Sequence, residues 1–199
     1  MKVNRLQLPW IASKSLKNCH VRGVDSVLFD DTSGARVRAF VANKDHDLWM
    51  NYGDNGPMSV AIHPHHCRVT LKRVFGNVHN VFKDHRFDDE MLKEYKYVSP
   101  ILKGTGSFKE TGMIKYCKRY IVPIENEADL PSWRMHSVYV PGNEEAAWFV
   151  YEGVEDTEYE PYCWSNADLT KFDFSGLYQP MDVEYLKGLL KKFNVEVVD

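Results

Sequence analysis

The chain has 199 residues, 44% of them hydrophobic, 13% aromatic and 27% charged, and 25 Lys and Arg stand against 28 Asp and Glu for a formal net charge of −3. This composition is too apolar for disorder, and the chain is long enough to bury a core without disulfides. It argues against a secreted mini-protein and against bulk electrostatic binding of nucleic acid. No apolar run reaches the length of a membrane span, and Met1 to Arg5 lead into no apolar secretory segment.

In chain order, short strands come first. Ser26 to Phe29 and Arg36 to Ala42, joined by a turn rich in Asp, Ser and Gly, predict a hairpin. In its second strand Val37, Ala39 and Val41 alternate with Arg36, Arg38 and Phe40. Asn51 to Pro57 has the composition of a loop, and Ser59 to Phe75 reads as a long β stretch, bent or broken in two. Arg86 to Tyr97 predicts a helix, with Phe87, Met91, Leu92 and Tyr95 at helical spacing and acidic residues in its first turn. Gly104-Thr105-Gly106 precedes no helical pattern and reads as a loop. Tyr116 to Ile124 predicts a strand that ends near Pro123. His136 to Val140 and Ala146 to Glu152 predict a second hairpin across Pro141-Gly142-Asn143. Ser165 to Asp168 has the pattern of a helix cap. Asp182 to Phe193 predicts a helix whose Val183, Leu186, Leu189, Leu190 and Phe193 form one apolar stripe. No linker divides the chain, so one domain over 1–199 is expected, with a β core at about 36–153 and a helical C-terminal tail at about 165–199.

Cys19, Cys67, Cys117 and Cys163 form no C-x-x-C pair. They read as buried free thiols in a reducing compartment, and the expectation is a cytoplasmic protein.

The histidines carry the chemical signal, since three of eight fall in His63-Pro64-His65-His66. In an extended strand His63 and His65 share a face with Cys67, Val69 and Leu71, while His66, Arg68, Thr70 and Lys72 project the other way. Two imidazoles on an apolar face need partners for their ring nitrogens. A divalent metal would satisfy both, and so would hydrogen bonds within the core or to bound water. His136, which opens a strand leading to Val138 and Val140, is the candidate third ligand. His20, His46, His79 and His85 read as surface or loop residues.

The pair His63-x-His65, followed by Gly76 and preceded by Gly56, resembles the first motif of the cupin superfamily, and Pro131 five residues before His136 resembles the second. The resemblance covers roughly residues 36–153. It implies a mainly β, cupin-like jelly roll or β-barrel with a few helices, including a C-terminal one, and metal held by His63, His65 and His136. The chain departs from the pattern at three places. The acidic ligand position falls near Thr70, Trp133 stands where a glycine is usual, and Val140 stands where an asparagine is usual.

Three histidines without a carboxylate resemble the site of the cupin thiol dioxygenases. The expected function is therefore a metal-dependent cupin-type enzyme acting on a small molecule, with dioxygenase chemistry on iron favoured and zinc, manganese or nickel also compatible. Tyr139 and Glu152 are the candidate catalytic residues, Glu152 as a general base if it faces the cavity. Tyr139, Trp148 and Tyr151 are candidate pocket walls, and Arg68 and Arg134 are candidate anion contacts, with packing and surface ion pairs as the competing readings. The alternatives are a metal-free cupin-like binder of a nucleotide or sugar, and a protein-interaction module. The expected partner is a small molecule, with no membrane and no bulk nucleic acid; pairing into a homodimer is common among cupin-like barrels.

Overall fold

The computed structural model describes residues 1–31, 34–48, 60–86, 90–97, 106–142, 144–154 and 162–199. In chain order the elements are β1 (Lys2–Asn4), α1 (Leu8–Lys14), β2 (Leu16–Lys17), β3 (Val24–Asp30), β4 (Arg36–Ala42), β5 (Val69–Phe75) and β6 (His79–Asp84). They continue with β7 (Glu90–Tyr97), β8 (Phe108–Pro123), β9 (Glu127–Leu130), β10 (Ser137–Tyr139), β11 (Ala146–Glu152), β12 (Tyr162–Ser165), β13 (Gln179–Pro180), α2 (Val183–Lys192) and β14 (Glu196–Val198). The chain is mainly β with a C-terminal helix, as the sequence leads one to expect, and helix α1 near the other end was not anticipated.

A seven-stranded sheet runs β13-β2-β3-β4-β11-β5-β9, and a five-stranded sheet runs β10-β6-β8-β7-β12. Strands β1 and β14 pair in parallel and tie the described ends together. The seven-stranded sheet is covered on both faces. On one, Val27, Ala39, Val41 and Ala147 meet Leu8, Ile11, Leu186 and Leu190 of the two helices. On the other, Val69, Leu71, Trp148 and Val150 meet Phe82, Tyr120 and Val138 of the five-stranded sheet. Strand β3 is accordingly buried through six consecutive residues, as strands covered on both faces are. The two facing, curled sheets fit the expected β-barrel.

The five-stranded sheet curls until its edges nearly meet. Ile62 bridges to Trp164 of the β12 edge, and His63 bridges to His136 at the head of the β10 edge. Lys83 of β6 reaches the Trp164 ring at 4.4 Å, although two strands lie between β6 and β12. A flat sheet would hold those strands roughly 14 Å apart. Residues 62–63 thus close the gap, and Ile62, Val81, Leu92, Cys117 and Trp164 fill the space enclosed.

Several expectations hold in detail. Strands β3 and β4 pair as the first hairpin. The terminal helix is capped by Asp182, whose side chain accepts from Tyr185 N at 2.7 Å. Asp168 caps a short 3-10 turn, Leu169–Lys171. All four cysteines are buried and free. The stretch before Phe75 is broken: bridges at Ile62 and His63 precede β5. Gly76 holds φ at +75°, and a Cβ there would collide with the backbone of Glu145 and Ala146.

Three expectations are corrected. The helix expected over Arg86–Tyr97 is strand β7 from Glu90 onward; residues 87–89 lie outside the described ones. A register shift between Lys93 and Tyr95 puts Leu92 and Tyr95, three apart, both out of solvent, and so copies the helical period. The expected second hairpin does not form. Strand β10 pairs with β6, whereas β11 pairs with β4 and β5, so Pro141-Gly142 carries the chain from one sheet to the other. The tail expected over about 165–199 holds strands β13 and β14 beside its helix. Gly56 and Gly104-Thr105 lie outside the described residues. Among the described residues no helix is long and apolar enough to cross a membrane.

Candidate metal centre

The predicted parity holds along the segment that leads into β5. Cys67, Val69 and Leu71 are buried, while His66, Arg68 and Lys72 are exposed. Before Cys67 the alternation breaks: the chain bends at His66 and Cys67, so that His66 lines the cavity beside His63 while His65 turns to His136. His136 arrives from the other side, its backbone N–H and C=O bonded to those of His63 at 2.9 and 2.8 Å. The backbone of His65 is tied to Ser132 O at 3.3 Å.

One ligand nitrogen from each of His63, His65 and His136 lies within 4.8 Å of the other two. His65 Nε2 and His136 Nε2 are 2.7 Å apart. Two nitrogens at about 2.1 Å from one ion would be separated by roughly 3.0–3.4 Å, so small ring rotations would suit the three to an ion. The tautomers suit it as well. His63 Nδ1 donates to Ala61 O at 2.8 Å, and His136 Nδ1 donates to Asn80 Oδ1 at 2.8 Å. Both rings are thereby left with an Nε2 lone pair facing inward, which is how outer contacts orient metal-binding histidines. The interior disfavours imidazolium. Desolvation, with the neighbouring histidines adding to it, lowers His65 to about 3 and His136 well below its ordinary value; desolvation also lowers His63 against the bond to Ala61. Neutral imidazole is the ligand form.

No carboxylate joins this cluster among the described residues. Thr70, at the acidic position of the motif, faces outward and donates to Asp129 Oδ1 at 3.2 Å.

Beside His63 opens a cavity of about 400 Å³. Arg36, Arg38, Phe40 and Glu152 line it from the seven-stranded sheet, His20 and Tyr178 from its end, and Phe108, Phe172 and Phe174 from the opposite wall. Glu152 does face the cavity. It lies 3.8 Å from Arg36 Nη1, and its Oε2 is buried without a hydrogen bond. The other candidate residues do not line this space. Tyr139 packs on His79 at 5.6 Å, on the face of the sheet opposite His136. Trp148 is core, stacked behind Phe40 at 5.6 Å. Tyr151 lies on the helix-side face beside Phe149. Arg68 pairs with Asp129 at the surface, and Arg134 lies over Phe82 and donates to Tyr120 Oη.

Two other histidines depart from expectation, His46 and His79, the latter half-buried in strand β6; His20 is exposed on a bend, as expected. His46 is buried rather than superficial: its Nδ1 accepts from Leu48 N and its Nε2 donates to Glu144 O, so it is a structural residue. His20 reaches the cavity, held at φ +71° by a turn that no periodicity marks. It is lowered to about 4 by desolvation and by the charges of His63 and Arg38. The cationic cavity wall, Arg36 and Arg38, was equally hidden, because the alternation in β4 does not say that its polar face is also covered.

No protein-family model matches the chain, and no curated protein matches it in sequence. Some solved structures align with it at low similarity. A hydroxypropylphosphonic acid epoxidase from S. wedmorenis aligns over 70% of this chain and 54% of its own, with 12% identity and a TM-score of 0.37. A cupin-like protein from Thermotoga maritima aligns over 71% and 74%, with 12% identity and a TM-score of 0.34. A protein with a cupin-like fold from Ralstonia eutropha aligns over 94% and 89%, with 10% identity and a TM-score of 0.32. The chain spans about half the length of the epoxidase.

Proposed function

We propose that this protein is a metal-dependent, cupin-type enzyme acting on a small molecule, with His63, His65 and His136 holding a divalent transition metal. The observation that carries the reading is the convergence of three neutral imidazoles, two of them with the far nitrogen bonded so that Nε2 points inward. Such a donor set is permissive for iron, zinc, manganese or nickel, and iron is favoured because the set resembles that of the cupin thiol dioxygenases. When bound, the metal would supply a Lewis acid able to polarise a substrate oxygen or activate a small oxygen ligand. The chain's own residues do the rest. Asn80 fixes the His136 tautomer, the phenylalanine-lined wall excludes water, and Glu152 stands where it can accept a proton from a bound substrate.

The test is elemental analysis of tag-free protein, followed by reconstitution with each metal. About one equivalent per chain is expected, lost in His63→Ala, His65→Ala and His136→Ala. Full occupancy retained in those variants, or no uptake by the wild type, overturns the reading. One observation favours a metal-free binding protein instead. His136 Nε2 can accept a proton from His65 Nε2 at 2.7 Å, which satisfies the pair without an ion.

A further inference from the structure

Among the described residues that line the cavity beside His63, two guanidinium groups, Arg36 and Arg38, stand against one carboxylate, Glu152, which lies beside Arg36. Arg38 stands deeper along β4. Its Nη1 donates to Ser26 Oγ at 3.3 Å, and among the described residues no carboxylate pairs with it. A guanidinium carries five donors in a planar fork and stays charged at any physiological pH. Half-buried in the cavity wall, it has most of its donors unmatched by the protein, which an anion would satisfy. The rest of the wall is aromatic: Phe40, Phe108, Phe172 and Phe174, the last two at 4.7 Å centroid to centroid.

We propose that the cavity binds a small organic anion, its carboxylate or equivalent oxyanion forked by Arg38 with Arg36 alongside, and its apolar body against the phenylalanine wall. This deepens the reading above, because His63 shares the cavity and the ligand's far end would lie at the three histidines. Inorganic anions and highly polar sugars fit less well, since they leave the aromatic wall without a partner. Glu152 opposes the bound anion, and its pairing with Arg36 restricts the site to one oxyanion group.

The test is calorimetric titration of chelator-treated protein and of metal-loaded protein with benzoate, phenylacetate, phenylpropanoate and octanoate. Each is compared with its primary amide, which keeps the shape and removes the charge. At least one acid is expected to bind about tenfold or more tighter than its amide. Arg38→Met should abolish that preference, and Glu152→Gln, which keeps the fold's shape, should tighten the acid. Acids that never outbind their amides, or a preference unchanged in Arg38→Met and in Glu152→Gln, overturn the proposal. A preference present in metal-free protein that takes up no metal would sustain the anion site while the metal reading fails. Metal uptake without any acid preference would do the reverse.

Discussion

The two faces of the five-stranded sheet carry polar groups of opposite character. On the face toward the larger sheet, Asn80 and His136 belong to a set of neutral nitrogens whose lone pairs converge. On the other face, Glu90 and Arg119 form an ion pair at 2.5 Å, almost fully buried at 6% and 5% exposure, with Lys83 nearby over Trp164. The second cluster pairs one carboxylate with Arg119 and still leaves Lys83 Nζ and Glu90 Oε1 buried without a hydrogen bond. The first satisfies its outer nitrogens with the protein and leaves its inner ones aimed at a common point. Burial of polar atoms is therefore not the mark of a site in this molecule; convergence of lone pairs is.

That contrast can be broken in four ways. The largest effect is expected at the ion pair: Glu90→Ala strands a buried guanidinium and should cost about 3–5 kcal/mol in urea unfolding, while metal content per folded chain stays unchanged. Asn80→Ala should do the opposite, weakening metal affinity about 10- to 100-fold in competition with a chelator, and Asn80→Asp, which keeps the acceptor, should recover most of it. Lys83 gives a third test through pH. Its amine is lowered from 10.5 to about 8, chiefly by burial and then by Lys115. Below pH 8 it is charged in both the folded and unfolded states and the full desolvation cost is felt; above 10.5 it is neutral in both and the cost is gone. Lys83→Met should therefore stabilise the protein at pH 7 by on the order of 2 kcal/mol, and the gain should shrink as pH rises from 8 toward 10.5. The smallest effect belongs to the surface. Arg68→Ala breaks only the exposed pair with Asp129 and should leave both the melting temperature and metal content within error.

Much of the site was legible because it depends on parity. Parity placed Cys67, Val69 and Leu71 on one buried face, and the Pro131–His136 spacing singled out the third histidine; the bend at His66 and Cys67, which brings His66 to the cavity beside His63, left no mark in the alternation. The C-terminal helix was legible for a similar reason, as ten residues suffice to show a 3.6-residue stripe and Asp182 marks its start. Strand β7 was not, because a bulge between Lys93 and Tyr95 imitates the helical period. Nor was the destination of β10, since Pro141-Gly142 is as suited to crossing between sheets as to turning within one. Arg36, Arg38 and His20 were hidden for the most general reason. Alternation shows that two faces differ, and only the packing of the second sheet shows that the polar face looks into a cavity.

The paired bridges at Ile62 and His63 also bear on how cargo can come and go. The peptide groups of His63 and His136 hold each other through two hydrogen bonds, and Ile62 is stitched by two more to Trp164 across the gap. The spacing of the histidines is thus written into main-chain bonding. Removing an ion should leave the cradle standing, so loading and unloading would be reversible events on a folded scaffold, governed by concentration in the surroundings and not by the protein's own assembly.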